Sequence, residues 1–265
     1  MTRRAAAPLA LLLAALALAG CGATSYSWGW YVVSPFDARG TTNLQFLLGG
    51  LGFTVAVALT AIAISVVIGL SIALPALSAN RFFRGVNRVY VELFRAVPML
   101  VMVLWVYYGL PVLLDLRVGV FLAGVIALAL CDSAFEAEIF RAGIQSIDRG
   151  QHEAADALGL GYVDKMRYII LPQAIRRVLP PLGNQFVYML KASSLLSVIG
   201  LTELTRRANE LVVNEYRPLE VYTFLVLEYL ALILIASWLV RRLERRMAAS
   251  DRRHSEAITS AVRQF

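Results

Sequence analysis

Long apolar blocks alternate with short arginine-rich stretches along most of the chain, and this pattern decides the fold class. A bilayer hydrocarbon core about 30 Å thick is crossed by about 20 apolar residues in a helix. Five segments reach or approach that length: 51–74, 97–114, 118–135, 182–198 and 221–240. The second and third are short, so tilt or neighbouring helices must supply the missing length, and Lys191 interrupts the fourth. The pattern predicts an all-α, polytopic transmembrane bundle with five core helices.

The first 21 residues have the pattern of an export signal. Arg3 and Arg4 precede an apolar run over 5–19, and residues 18–21 read LAGC, similar to the lipobox at which bacterial lipoproteins are cleaved. Two interpretations stay open: Cys21 becomes lipid-modified, or the segment 1–21 remains as an uncleaved signal anchor. In both, the chain from Gly22 onward begins outside the cytoplasm, so 22–45 is predicted to be a periplasmic lead-in.

The basic residues orient the five segments, because Lys and Arg near the ends of membrane spans favour the cytoplasmic side. Two regions carry an arginine excess: the connection between the first two segments, with Arg81, Arg84, Arg88 and Arg95, and the end after the last segment, with Arg241, Arg242, Arg245 and Arg246. The alternate connections are balanced or acidic, the last of them containing Glu203, Glu210, Glu215 and Glu220. This distribution of arginines agrees with five spans, a chain that starts outside the cytoplasm and a C-terminus in the cytoplasm.

Composition narrows the classes of function. The chain is 59% hydrophobic and 16% charged, whereas a soluble domain has about a quarter of its residues charged. The net charge of +7 is accounted for by helix orientation, so no nucleic-acid partner is predicted. Neither of its lysines, Lys165 and Lys191, follows a glycine, so the chain lacks the phosphate-binding loop of ATPases. Two histidines and two distant cysteines give no candidate metal site, cofactor site or catalytic pair. The prediction is a transport subunit rather than an enzyme.

The predicted topology places the polar stretch 150–172 on the cytoplasmic side. Residues 151–158 favour a helix, and Gly159 and Gly161 interrupt it. A second short helix is predicted over 162–170, and Pro172 predicts another break or kink. A helix–glycine–helix unit forms a compact projection that suits a groove in a partner protein. The alternative is an amphipathic helix that only tethers this loop to the membrane surface.

This stretch resembles the EAA loop of bacterial ABC importer permeases. The positions that carry the resemblance are Glu153, Ala154, Ala155, Gly159, Ile169, Leu171 and Pro172. Four further phrases are similar to the polar amino-acid branch of the type I importers: VELFRAVP at 91–98, EAEIFRAGI at 136–144, PPLGN at 180–184 and KASSLLSVIG at 191–200. The resemblance covers 46–246, the predicted permease transmembrane domain, and leaves 247–265 as a cytoplasmic tail.

The resemblance implies a division of labour among several chains. A cytoplasmic ABC ATPase would hold the projection in a cleft, and a periplasmic or extracellular solute-binding protein would deliver a small polar solute. A second permease, identical or related, would complete the pore in the bacterial inner membrane, surrounded by lipid. Carried onto this chain, the resemblance implies that Glu153 would make polar contacts with the ATPase and that Ala154 and Ala155 would permit its close approach. Gly159 makes the turn, and Pro172 redirects the chain into the next span.

Ionisable and hydroxyl residues within the spans are candidates for the translocation path, since a charge at membrane depth is costly. The candidates are Asp132, Lys191, Ser193, Ser194 and Glu228. Asp132 and Glu228 depart from the family, which more often has a neutral polar residue at the first position and usually lacks an acid at the second. One hypothesis is that Lys191 and the serines contact the carboxylate of an amino acid. The alternative is that Lys191 pairs with Asp132 or Glu228, or reaches the interface, and only fixes helix packing.

Three other functions compete with the amino-acid importer. A transporter driven by an ion gradient would use Asp132 or Glu228 as a proton or sodium site, but it leaves the 150–172 projection without a purpose. A membrane-anchored enzyme or signalling subunit lacks a His/Cys/Asp constellation and a sizeable soluble domain. An importer of the same class could carry another small polar solute, such as an opine or a compatible solute.

Overall fold

The structure, a computed structural model, describes residues 26–77, 80–115 and 117–262, the last of these without side chains beyond residue 245. The predicted export signal with Cys21 lies outside the described residues. Every regular element within the described ranges is helical. The prediction of an all-α membrane bundle is confirmed.

The helices are numbered here in chain order. They are α1 (Ala38–Leu48), α2 (Leu51–Ala76), α3 (Arg81–Ala96), α4 (Met99–Leu104), α5 (Leu110–Leu114), α6 (Val120–Gln145), α7 (Arg149–Ala157), α8 (Tyr162–Lys165), α9 (Leu171–Ala192), α10 (Leu204–Glu215) and α11 (Pro218–Val262). Shorter turns join some of them: 3-10 turns at Trp30–Val33 and Ser193–Ile199, and π-helical turns at Trp105–Gly109 and Met166–Ile170.

Three helical stretches among the described residues are long and apolar enough to cross a membrane alone: Ala38–Ala76, Val120–Gln145 and Pro218–Arg245. Two helix pairs reach that length only together. Arg81–Ala96 and Met99–Leu114 meet at a bend of 96°, and Tyr162–Ile199 and Leu204–Glu215 meet at 47°. Counting each bent pair as one span gives up to five spans, and each of the five predicted segments overlaps one of them.

The sharpest bend follows from a proline. Val97 has an extended backbone, with φ −79° and ψ 124°, and Pro98 is the N-cap of α4. The ring of a proline disfavours helical geometry in the residue before it, so α3 ends at Ala96 and the chain turns. The predicted second segment therefore begins at this bend, and α3 runs nearly perpendicular to α4 and α5.

Two other prolines do not break the helix. Of the predicted break or kink at Pro172, the break is absent, because helix continues from Tyr162 through the π-helical turn Met166–Ile170 into α9. A π-helical turn also precedes Pro111. A proline lacks an N–H and its ring crowds the preceding turn, and one extra residue in that turn relieves the crowding. Single π turns of this kind are often found at functional sites.

The core is built on the contact between α2 and α6. A Cβ atom on Gly69 would lie 2.6 Å from the Cβ of Glu136 and 3.0 Å from the backbone nitrogen of Ala137, so only glycine permits this approach. Around the contact, side chains from α2, α4, α6 and α9 form the largest buried cluster, which includes Val57, Ala61, Val103, Leu128, Cys131 and Met189. Small residues at such crossings let helices pack closely within a membrane.

The segment that precedes the first span is bonded to the start of the last span. The carboxylate of Glu220, in the first turn of α11, accepts hydrogen bonds from the hydroxyl of Tyr26 at 2.5 Å and from the backbone N–H of Gly29 at 2.6 Å. The bond to Glu220 raises the pKa of the Tyr26 phenol. Helix α1 begins at Ala38, capped by Asp37, and runs on as one stretch to Ala76. This helical stretch thus starts before residue 46, where the permease domain was predicted to begin.

The last helix also passes a predicted boundary. Helix α11 continues through Val262, although a separate tail was expected from residue 247. No glycine or proline follows Pro218 within this helix to end it. The backbone from residue 247 to Val262 therefore continues the helix of the last span, which itself is assigned to Pro218–Arg245.

Candidate functional site

The first half of the projection is a short helix with a defined start and end. The side chain of Asp148 caps α7 by accepting a hydrogen bond from the backbone N–H of Gly150 at 2.7 Å. At the other end Gly159 has φ +72°, a left-handed conformation that favours glycine. The N–H of Gly159 donates to the carbonyl of Asp156 at 3.0 Å, and that of Leu160 to Ala155 at 3.1 Å. This pair of bonds is the Schellman motif, which ends a helix and turns the chain.

The second half is tied to the first by side chains. The ammonium of Lys165 lies 2.6 Å from the carboxylate of Asp156, and the Lys165 side chain is only 15% exposed. The amide of Gln173 donates to Gln151 at 3.1 Å. These contacts join α8 and the start of α9 to α7, so the region 149–173 forms one compact unit. We call this unit the knob.

The knob stands on a small apolar cluster of its own. Ile147, Ile170 and Ala174 are buried together, with Ile169 packed against them. Ala155 is fully buried within the chain. Ala155 therefore supports the knob from inside, and Ile169 is partly buried against the same cluster. The sequence interpretation, in which Ala155 permits the close approach of a partner, is not compatible with this burial.

The outer surface of the knob combines charge with exposed apolar side chains. Glu153 is 70% exposed and lies 3.4 Å from Arg149, itself 93% exposed, and such an open pair leaves the carboxylate accessible to a partner. Four of the predicted knob residues are exposed: Glu153, Ala154, Gly159 and Pro172. Leu171 is half-buried.

Sequence reasoning missed the apolar part of this surface. The large apolar side chains that it exposes most are Leu158 at 76%, Tyr162 at 71% and Val163 at 72%. They flank the turn at Gly159, and an exposed apolar patch with a polar rim is typical of a docking surface. The sequence did contain a signal for this surface: three large apolar residues lie around a glycine turn in an otherwise polar stretch.

Asp132 is a buried part of the helix packing. It has no exposed surface, and its carboxylate accepts hydrogen bonds from the hydroxyl of Ser65 at 2.6 Å and from the amide of Gln185 at 2.5 Å. The three residues come from α2, α6 and α9, so Asp132 links three helices. Its partners are neutral donors, and sequence reasoning named neither of them.

Lys191 and Ser194 line a groove beside the last span. The groove has a volume of about 420 Å³, and its other lining residues are Val226, Tyr229, Leu230 and Ile233. Lys191 is exposed, and no ion pair joins it to Asp132 or Glu228 in the part of the chain that the structure describes. Ser193 is fully buried, and its hydroxyl donates to the carbonyl of Leu190 at 2.8 Å. In the structure Lys191 and Ser194 thus line the same groove, whereas Ser193 is buried and does not line it.

Two carboxylates are buried without a hydrogen-bond partner among the described residues. They are Glu228 on α11 and Glu136 on α6. Glu136 is fully buried where α6 crosses Gly69. Sequence reasoning named Glu228 and missed Glu136, which lies within the phrase 136–144 and one helical turn after Asp132.

Two other acids assigned from sequence to an external loop are buried in the structure. The carboxylate of Glu203 caps α10, accepting from the backbone N–H groups of Thr205 at 2.9 Å and Arg206 at 2.7 Å and from the hydroxyl of Tyr229 at 3.0 Å. Glu220 holds the lead-in segment, as described above. Their positions just before or within the first turn of a helix were a signal of capping.

Comparison with known proteins identifies the family to which the chain belongs. Residues 65–249 match the family described as the binding-protein-dependent transport system inner membrane component. The chain belongs to that family. The match contains the knob, the buried Asp132 contact and the groove of Lys191.

Members with recorded transport functions are similar over most of the chain. The glutamine transport system permease protein GlnP of Escherichia coli strain K12 is 38% identical over 205 residues, which are 77% of this chain and 94% of that protein. The arginine transport system permease protein ArtQ of Bacillus subtilis strain 168 is 35% identical over 209 residues, 79% of this chain and 95% of that protein.

Solved structures agree with the fold. The crystal structure of an amino acid ABC transporter with histidines has 41% identity and a TM-score of 0.73, over 78% of this chain and 96% of that chain. An inward-facing methionine ABC transporter, MetNI, has 19% identity and a TM-score of 0.68, over 78% of this chain and 98% of that chain, and supports the fold alone.

Family membership decides the class of function. The protein is a membrane-spanning permease subunit of a binding-protein-dependent ABC importer, so it performs transport and not catalysis. The hydrolysis of ATP is the task of a separate ATPase. The sequence prediction of a permease is confirmed, and the alternatives of an ion-gradient transporter and of a membrane-anchored enzyme are not supported.

Proposed function

We propose that this permease subunit imports a polar amino acid. The observation that carries the proposal is the similarity, over more than three quarters of the chain, to permease proteins named for glutamine and arginine transport. The groove of Lys191 supports it, because an exposed ammonium group can bind the carboxylate of a zwitterion. The hydroxyl of Ser194 donates to the carbonyl of Lys191 at 2.8 Å. In this proposal Asp132 and Ser193 act behind the path as packing residues, and Glu228 lies beside it.

The proposed partner at the knob is an ABC ATPase. Glu153 supplies an accessible charge, and Leu158, Tyr162 and Val163 supply apolar area that binding would remove from water. The rigid turn at Gly159 and the ion pair between Lys165 and Asp156 let the knob move as one body when the ATPase changes shape. The other proposed partners are a solute-binding protein on the opposite face and a second permease, identical or related.

The proposed location is the bacterial inner membrane, with the knob and the C-terminus in the cytoplasm. Arginines are concentrated at 81–95 and 241–246. Three of those in the first stretch share a pocket with Gln145, the last residue of the helix that leads to the knob. The positive-inside rule assigns such ends to the cytoplasm. The lead-in segment beside Glu220 then lies on the outer face.

Reconstitution with the ATPase and the binding protein tests the function. We expect uptake of labelled glutamine or arginine into vesicles that requires ATP and the binding protein. In Gly159→Leu the left-handed turn is destabilised by about 1–2 kcal/mol, so the ATPase should co-purify poorly and substrate-stimulated hydrolysis should fall.

The matched control is Gly161→Leu. Gly161 has φ −64°, and no atom lies within 4 Å of a Cβ placed there. This variant should keep co-purification and stimulated hydrolysis. Full coupling in Gly159→Leu would contradict the assigned role of the knob, and uptake of neither amino acid would contradict the cargo.

A further inference from the structure

A polar pocket lies where α3 crosses the end of α2 and the second half of α6. Its volume is about 390 Å³. Ten residues line it, and most of them are charged or carry an amide: Ala76, Arg84, Asn87, Arg88, Val91, Glu92, Arg95, Glu138, Arg141 and Gln145. None of these residues belongs to the knob or to the groove of Lys191.

The pocket has a surplus of positive charge. Four arginines line it against two glutamates. Glu138 is held by two of the arginines, at 3.2 Å from Arg95 and 2.8 Å from Arg141. Glu92 is the other acid of the lining, so the lining carries a formal surplus of two positive charges, and Arg88 is one of the arginines that contribute to it. A guanidinium binds phosphate well because its planar N–H groups match two phosphate oxygens.

Helix α3 carries this pocket on one side and an apolar stripe on another. Residues at helical spacing form the stripe and are exposed: Phe82 at 70%, Val86 at 45%, Val89 at 65% and Leu93 at 56%. The opposite side is anchored, since the amide of Asn87 donates to the carbonyl of Ile72 at 3.2 Å and Val91 is buried. An amphipathic helix with an exposed apolar stripe and a basic side is typical of helices that lie in a membrane interface.

The 96° bend between α3 and the following span agrees with this position. The pair is then a broken span: where α4 and α5 run into the bilayer, α3 runs along its surface. The apolar stripe then contacts acyl chains, and the pocket opens at the depth of the lipid headgroups.

We propose that this pocket binds the phosphate of an anionic phospholipid headgroup. Basic pockets beside membrane helices bind such headgroups through charge, and the neighbouring apolar stripe offers a surface for acyl chains of the same lipid. The phosphate chemistry is shared with free inorganic phosphate, which lacks the acyl chains. The proposal rests on the membrane placement used above, but it does not depend on the cargo or on the ATPase.

Native mass spectrometry of the full chain in detergent tests the proposed lipid site, because it counts the lipid molecules that are bound to the protein. We expect phosphatidylglycerol to bind more tightly than phosphatidylcholine. Arg88→Gln should weaken phosphatidylglycerol binding about fivefold, the ratio expected for one basic residue near a lipid surface. Glu92→Gln removes the opposing charge and should strengthen binding.

Arg81→Gln is the matched control. It removes the same charge from the same helix, but Arg81 does not line the pocket. Phosphatidylglycerol binding should fall clearly less than in Arg88→Gln, because the guanidinium of Arg81 is not among the groups that line the pocket. Equal binding of the two lipids, or equal loss in Arg88→Gln and Arg81→Gln, would overturn the proposal.

Inorganic phosphate distinguishes the source of the anion. If a lipid is the ligand, millimolar phosphate should displace little phosphatidylglycerol. Phosphate that binds alone to wild type, is lost in Arg88→Gln and displaces the lipid would keep the phosphate site and overturn the assignment to a lipid. Because transport is not measured, a failed cargo assignment cannot produce any of these results.

Discussion

In this permease the type of a residue does not predict whether its side chain is buried or exposed. Asp132 is a carboxylate at membrane depth, yet it lies fully inside the bundle between Ser65 and Gln185. Ionisable groups within spans default to a functional interpretation, but here the contacts are those of a structural link between three helices. Glu203 and Glu220 likewise serve as anchoring groups.

Asp132 can be tested by two substitutions that differ in hydrogen bonding. Asp132→Ala leaves the Gln185 amide without its acceptor and removes the bond to Ser65, so we expect a loss of about 1–3 kcal/mol in stability. Asp132→Asn keeps an acceptor for Gln185 and a donor for Ser65, and it should remain near wild type. Melting of the purified protein in detergent measures both. Equal melting temperatures for the two variants would contradict the structural role.

At the scale of elements, the close crossing of α2 and α6 depends on one glycine. In Gly69→Ala the new methyl group would meet Glu136 and the backbone of α6, so the helices must separate. Overpacking of this kind costs about 1–3 kcal/mol. We expect a lower melting temperature in detergent and less folded protein in the membrane.

Gly52→Ala is the matched control on the same helix. A Cβ at Gly52 meets nothing within 4 Å, and alanine is the better helix former. This variant should melt at or above the wild-type temperature. If Gly52→Ala were as destabilising as Gly69→Ala, the loss would come from a general helix effect and not from the crossing.

The helices also show that a proline does not by itself decide whether a helix ends. Pro98 bends the chain, whereas Pro111 and Pro172 follow π-helical turns and leave it helical. The residue type is the same in all three cases. The difference lies in the preceding turn, which either becomes extended or accepts one extra residue, and the packing around each turn selects between them.

At the scale of the whole molecule, the proposed orientation predicts which surfaces face each compartment. In a background with Cys21 and Cys131 changed to alanine, a cysteine replacing the exposed Phe36 should react with a membrane-impermeant maleimide from outside. A cysteine replacing the exposed Asp164, in the knob, should react only in inverted vesicles. Measurement of labelling in both preparations decides the topology. Labelling of the knob from outside would remove the basis for an ATPase partner.

The sequence by itself determined the number and place of the apolar segments, the helix–glycine–helix knob and, through its resemblance, the permease class. These features depend on composition and on residues close along the chain. The length of a hydrophobic run decides whether it can span the membrane. Helix α7 ends at Gly159 through bonds from Gly159 and Leu160 to carbonyls three and five residues earlier.

Tertiary structure alone decided which polar groups are buried and what they contact. The partners of Asp132 lie 67 and 53 residues away along the chain, and those of Glu220 lie more than 190 residues away. It also decided that Ala155 supports the knob, and that the arginines of α3 meet those of α6 in one pocket. No local pattern specifies such pairings, because they arise only when helices distant in sequence pack together.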